Sequence, residues 1–383
     1  LRPCLNIRPK RVNFISIQQS AGTFAKGYVP SPLRTGYEQI LAHRTDDLYA
    51  YTAKKPGKIT RLTAQAITVT HEDGSVKTIE LGRRFGVAAG TILPHAVETR
   101  LKVGDEVKLG DIVAYNRNYF QIDPLNPKQV VWKAGVLVKT AIMESTDTLE
   151  DSSAISEEVA GLMETQITKI RDVQVAFDQS VRNLLPVGTP VEVESILCTI
   201  EDAVTAQSNL LDSDSLDTLR LISANTPRAK VKGVIEKIEV FYNGDIDELS
   251  PSLQELAQAS DRERKRTARE LGKTYTPGRV DDSLRVDGNP LPPDNLVVRM
   301  YITSDMSAGV GDKGVFGNQL KTIHGRVMSG KNETESGQPI GAIFGYQSIS
   351  DRIVYSPEII GTTNTLLKII SKRMVAAYYG KLK

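Results

Sequence analysis

The sequence predicts an α+β fold rich in β-strand, and three observations carry that prediction. Between residues 57 and 114, short runs alternate apolar and polar side chains and are separated by turn signals, as half-buried strands require. Further strand-like runs recur at 134–138, 189–194, 231–242 and 296–302. Helices are expected in few places: 201–221, 252–271, which Ser250-Pro251 opens, and 362–379, whose apolar residues approximate helical spacing.

The elements follow in order. Residues 11–18, Arg-Val-Asn-Phe-Ile-Ser-Ile-Gln, alternate and predict a strand. The runs 67–70 and 76–79 flank Asp73-Gly74, a pair that tolerates the positive φ of a primed turn, so a β-hairpin is expected there. Another strand pair is expected within 103–113. The acidic, serine-rich stretch 201–221 reads as an exposed helix. The helix at 252–271 has Ser250 at its N-cap and Pro251 at its first position, where a missing N–H costs nothing. A link rich in Pro, Gly and Asp, 276–294, leads to the strand at 296–302. The run Asp261 to Arg266 reads more readily as a solvated helix face than as a nucleic-acid contact.

The length of 383 residues allows two or three domains, and 40% hydrophobic content supports packed cores. A net charge of +2 confines any nucleic-acid surface to a local patch. Cys4 and Cys198 stand far apart and fit a reducing compartment such as the cytoplasm; with four scattered histidines they spell no zinc motif. No apolar run reaches eighteen residues and no basic-then-apolar leader opens the chain. A first residue of Leu1 suggests a fragment or a processed product.

The most informative stretch is 309–326. Gly309, Gly311, Gly314 and Gly317 surround Lys313, and Lys321 follows eight positions after it. Freed backbone N–H groups beside mobile ammonium groups suit phosphate. The same Gly-Asp-Lys-Gly also spells an ordinary β-turn between strands. Adjacent carboxylates at Glu150-Asp151 suit a divalent cation carried by phosphate, but acidic residues before Ser152-Ser153 also suit a helix start.

Several of these motifs together resemble the β subunit, the second-largest, of multisubunit DNA-dependent RNA polymerases. The resemblance rests on Gly-Asp-Lys with a second lysine eight positions on, on Gly337-Gln338-Pro339 followed by a strand and Arg352, and on Leu149-Glu-Asp-Ser-Ser-Ala-Ile-Ser-Glu157. It rests also on Gly104-Asp-x-Val-x-x-Gly-Asp-Ile-Val113 and on Lys26 four positions before Pro30. Val315-Phe316 replace the family's Arg-His, Thr146-Asp147 its Tyr-Asn, and Lys26 stands where bacterial relatives carry arginine.

The resemblance implies a hybrid-binding, active-centre region of the double-psi β-barrel type at 1–172 and 297–383, with an inserted flap domain at 173–296. Lys313 and Lys321 would hold the RNA 3′ end or first nucleotide, and Arg352, with Lys26, would neutralise triphosphate oxygens. Glu150 and Asp151 would lie near a nucleotide-borne Mg²⁺. The main Mg²⁺ would belong to a partner, the largest subunit, whose Asp-x-Asp-Gly-Asp motif is absent here; Asp245-Ile-Asp247 comes nearest. Other implied partners are the rest of the β subunit, template DNA, the RNA transcript and a sigma-like initiation factor at the flap. Divergent motifs and a split subunit resemble the polymerases of large bacteriophages. A non-catalytic, β-rich nucleic-acid-binding scaffold is the alternative. A free-standing phosphotransferase would need Gly-x-x-x-x-Gly-Lys-Ser/Thr, which the chain lacks.

Overall fold

The computed structural model describes residues 2–9, 24–88, 91–124, 126–202, 225–281, 284–317, 320–352 and 355–380. The strand expected at 11–18, nearly all of the helix expected at 201–221, and Asn318 lie outside them. The fold is α+β and β-rich, with 21% helix and 41% strand. None of the described helices is long and apolar enough to cross a membrane.

The chain divides into two compact units, Leu1–Gln166 with Asp305–Lys383, and Ile167–Ser304. The sequence reading set the corresponding boundaries at 172/173 and 296/297.

The first unit contains a closed barrel of six strands, numbered here in chain order: β1 (Arg2–Pro9), β2 (Val136–Ile142), β3 (Ser152–Ser156), β4 (Lys313–Phe316), β5 (Leu320–Met328) and β6 (Ala342–Phe344). Round the barrel they run β1-β2-β6-β3-β5-β4. Two neighbouring pairs are parallel, β2 with β6 and β3 with β5; the other four are antiparallel. Side chains alternate across each strand, so one set, including Val136, Val138, Ile155, Phe316, Leu320, Ala342 and Phe344, packs into a common core. Phe316 and Phe344 meet at 5.1 Å between ring centroids.

The rest of this unit is β-scaffold. A four-stranded sheet holds the expected hairpin, Ala66–His71 against Val76–Glu80. Its turn differs from expectation: the His71 N–H donates to the Ser75 carbonyl, and Gly74 takes positive φ while Asp73 does not. The loop is thus longer than the two residues of a primed turn. The paired strands Gly82–Ala88 and Thr91–Glu98, the paired strands Phe120–Asp123 and Asn126–Trp132, and the helix Tyr37–Arg44 were not anticipated.

In the second unit the strand Gly233–Asn243 pairs with Asn295–Met306 and with the short strand Pro190–Val191. The helix Pro251–Leu271 packs Leu253 and Ala257 onto a wholly apolar cluster that includes Val240, Val298, Met300 and Ile302. Ser250 is the N-cap residue, but its hydroxyl donates to the Gln179 carbonyl instead of capping the helix. In the first unit, the terminal helix starts at Ser356, six residues before the position expected from apolar spacing, and runs to Tyr378.

Candidate functional site

The glycine-rich stretch folds as a turn followed by a strand hairpin, in line with the β-turn that Gly-Asp-Lys-Gly also spells. At 309–312 the Asp312 carboxylate accepts from the Gly309 N–H at 2.9 Å, and Gly311 has φ +88°. The Gly311 N–H and the His324 N–H then tie the turn to β5, donating to the His324 and Asp312 carbonyls at 2.8 Å each. Lys313 opens β4 and Lys321 lies on β5, opposite Val315.

Alternation sorts most of the side chains, although Val315, on the same side as Lys313, is also buried. Gly314 and Phe316 on β4, with Leu320, Thr322 and His324 on β5, are buried, whereas Lys313, Lys321 and Ile323 are exposed. Lys313 pairs with Ile323 across the ladder, so Lys321 is its diagonal neighbour on the outward face, a relation that sets Cα atoms roughly 7–8 Å apart. Two ammonium groups therefore share one exposed surface on two rigid strands.

Gly314 has a reason other than ligand approach. A Cβ there would stand 2.7 Å from Cε1 and 2.8 Å from Nε2 of His324. The imidazole is fully buried, its Nδ1 is 3.0 Å from the Ser153 hydroxyl, and Nε2 meets no hydrogen-bond partner among the described residues. Burial pushes the His324 pKa down to about 4, against a smaller opposing pull from Asp312.

Glu150 and Asp151 begin no helix. They form a tight turn with φ of +50° and +67° that feeds directly into β3; the helix starts later, at Glu157, capped by the Ser156 hydroxyl. Positive φ at two successive non-glycine residues is costly and needs surrounding structure to hold it. Here Thr148 is buried, and its hydroxyl accepts from the Ser145 N–H at 2.8 Å. The Ser152 hydroxyl donates to the Asp147 carbonyl at 3.0 Å.

Arg352 follows the short helix Tyr346–Ser350, so a helix lies between it and the preceding strand β6, which the sequence reading had delivering it directly. Its guanidinium grips both carboxylate oxygens of Asp151 as a bidentate pair and also donates to the Ser348 carbonyl at 3.2 Å. That pairing holds the Asp151 carboxyl below its ordinary range and raises the Arg352 pKa.

The barrel register brings these elements together. Ser152 on β3 is level with Ile323 on β5, and Ile323 is level with Lys313 on β4. The turn 149–151 touches β5, so Glu150 and Asp151 stand alongside the end of that strand carrying Lys321, across a strand spacing of about 4.8 Å. On the other side of β3, β6 leads to Arg352. Four contiguous strands, β4, β5, β3 and β6, thus carry or deliver Lys313, Lys321, Glu150, Asp151 and Arg352.

Lys26 is not brought into that contact set. It lies in a turn whose N–H donates to the Glu164 carbonyl at 2.8 Å, and its ammonium faces the Glu164 carboxylate at 3.8 Å. His324 and Ser153 are the residues that sequence reasoning missed; a lone histidine between exposed positions on an alternating strand was the available signal.

Among the described residues no group of three or more His, Cys, Asp or Glu side chains is placed to hold a metal ion. A comparison with protein-family models and with curated protein sequences finds no match.

Proposed function

We propose that this chain is part of the catalytic core of a DNA-dependent RNA polymerase, a β-subunit-like component that binds nucleoside triphosphate, the RNA 3′ end and the RNA–DNA hybrid. One observation carries the reading: residues selected from motifs at 150–151, 313–321 and 352 converge on four contiguous strands of one closed barrel. In this proposal the barrel is of the double-psi type, and the unit Ile167–Ser304 is the inserted flap that receives an initiation factor.

The reaction is attack of the RNA 3′-oxygen on the α-phosphorus of the incoming nucleotide, with pyrophosphate leaving. Lys313 and Lys321 supply the positive face on which the 3′-terminal phosphates rest. Strand-borne lysines suit this because the hairpin fixes their backbone while the stems stay adaptable. Arg352 must trade the Asp151 carboxylate for triphosphate oxygens, since its planar fork fits either anion. Both partners are solvent-accessible, so the exchange carries little desolvation cost.

Mg²⁺ enters as a companion of the nucleotide. The donor set here is two adjacent carboxylates, one of them held by a guanidinium, which fits a transient contact with a phosphate-borne ion. When bound, that ion would neutralise pyrophosphate charge, and Glu150 with Asp151 would steady it. The main Mg²⁺ site is assigned to the largest subunit.

The test is purification of the chain with whatever accompanies it, followed by mass spectrometry and nucleotide addition on an RNA–DNA scaffold. A partner bearing Asp-x-Asp-Gly-Asp and template-directed extension are expected. Extension by the chain alone, or a complex with neither that partner nor extension, would overturn the proposal and favour the non-catalytic scaffold.

A further inference from the structure

The helix Pro251–Leu271 shows two different treatments of its cations. Arg264 points inward: it donates to the Val240 carbonyl at 2.8 Å, contacts Asp261 at 3.2 Å, and lies 4.3 Å over the Phe241 ring. With the Ser260 hydroxyl accepting from the Val240 N–H, these contacts fasten the helix to the strand Gly233–Asn243. Arg262, Lys265, Arg266 and Arg269 are all exposed.

At about 100° per residue, those four cations fall within an arc of roughly 100°, on the side opposite Leu253 and Ala257. Glu263 and Glu270 project from the edge of that arc, and Glu263 pairs with Arg266 at 2.6 Å. The crest therefore carries cations alone over the last three turns. The helix dipole accounts for Arg269 in the last turn, but its influence fades within one turn and leaves Arg262 and Lys265 unexplained. From Arg262 to Arg269 the crest advances about 10 Å at 1.5 Å per residue, enough to meet about two successive phosphates of one strand.

We infer that this crest is a binding surface for the phosphate backbone of a single nucleic-acid strand, read without regard to sequence. A single line of cations on a fixed helix matches a single line of phosphates. The inference stands apart from the polymerase assignment, because binding needs neither a catalytic partner nor a metal.

The test uses the full-length chain and a variant with Arg262→Gln, Lys265→Gln, Arg266→Gln and Arg269→Gln, with circular dichroism establishing equal folding. Fluorescence anisotropy with a labelled 20-nucleotide RNA is read from 50 to 200 mM salt. The variant should bind at least tenfold more weakly at 50 mM, with a log–log salt slope shallower by about 1.4, from two lost phosphates at about 0.7 each. Unchanged affinity and slope would overturn the inference. So would an equal loss on polyglutamate of the same charge, which would mark the crest as a surface for acidic protein.

Discussion

The two units differ in their buried histidines, although each holds a largely buried Arg–Asp pair, Arg34 with Asp123 in the first and Arg299 with Asp172 in the second. All four histidines of the chain belong to the barrel-containing unit; His71, His95 and His324 are buried, and burial pushes His95 and His324 down to about 4. The unit Ile167–Ser304 contains no histidine; its inward-facing charges are paired, as in the bidentate contact of Arg299 with Asp172 at 2.8 and 2.7 Å, beside an apolar core. The first unit places one of its buried histidines, His324, behind the strands that carry the candidate site, and another, His95, in a separate sheet against Asn116 and Tyr119. The second builds a plain platform whose notable chemistry is on its outside.

The largest effect expected from this contrast is a separation of activities. The Gln166 side chain donates to Asp305 at 2.9 Å, so the two ends of the first unit's interruption are close enough for a short linker. Replacing 167–304 by a Gly-Ser linker should abolish promoter-dependent initiation in the assembled enzyme, while extension of a preformed RNA–DNA scaffold survives. Equal loss of both would break the division of labour drawn here.

Acid should act next and, between pH 6.5 and 4.5, through the histidines of the first unit. His95 and His324 have folded-state pKa values near 4 against an ordinary 6.5. Between those values the unfolded chain binds protons that the folded chain refuses, so stability is full above pH 6.5 and falls as pH drops toward 4. Each group contributes up to about 3 kcal/mol, from about 2.5 units at 1.36 kcal/mol each. The single tryptophan, Trp132, lies in this unit, 5.5 Å from the Tyr119 ring, and reports on it directly. Its urea midpoint should fall between pH 6.5 and 4.5 and should fall about half as far in a His324→Gln variant, where His95 alone remains. A midpoint flat in wild type across that window would remove the contrast.

Within the site, the cations should separate by role. A charge-assisted hydrogen bond is worth about 1.5–3 kcal/mol, roughly ten- to a hundredfold in rate or affinity. Arg352→Ala should depress nucleotide incorporation by about that factor, in the Michaelis constant, the turnover or both, with scaffold binding little changed. Lys321→Ala should impair initiation from two nucleotides more than extension of a long RNA, whose hybrid supplies other contacts. Small, indistinguishable defects in both would return this hairpin to ordinary structure.

A slightly smaller effect distinguishes two glycines of one motif. Gly314→Ala drives a methyl into the His324 ring and should cost about 1–3 kcal/mol of the first unit's stability. Gly309→Ala meets nothing within 4 Å and should change stability by less than about 0.5 kcal/mol. Equal costs at the two positions would show that backbone freedom, and not room for His324, is what the motif protects.

These cases mark how far the sequence could be read. Periodicity and turn chemistry located the hairpin at Ala66–Glu80 and the long strands, and Ser250-Pro251 located the start of the helix. Ser356-Pro357 also stands at a helix start, one position further in, whereas apolar spacing alone places the last helix six residues too late. The barrel could not be read at all from local pattern, because β2 joins β6 and β3 joins β5 across nearly two hundred residues. At the site, residue types were legible but their company was not: the Asp151–Arg352 pair and the His324 ring behind Gly314 depend on register between distant strands.

The smallest expected effect bears on what the Asp151–Arg352 pair is for. Its side chains are 37% and 50% exposed, and pairs of that kind are worth about 0–1 kcal/mol despite good geometry, because water screens the charges. Asp151→Asn should therefore lower stability by less than about 1 kcal/mol, measured in urea at pH 7, where the wild-type carboxylate is fully ionised. Nucleotide incorporation should respond more strongly, since the substitution removes both the resting partner of Arg352 and a carboxylate for the nucleotide-borne ion. A stability loss of several kcal/mol would instead make the pair a structural clamp on the strained turn at Glu150 and Asp151, and would take Arg352 off the list of residues available to the triphosphate.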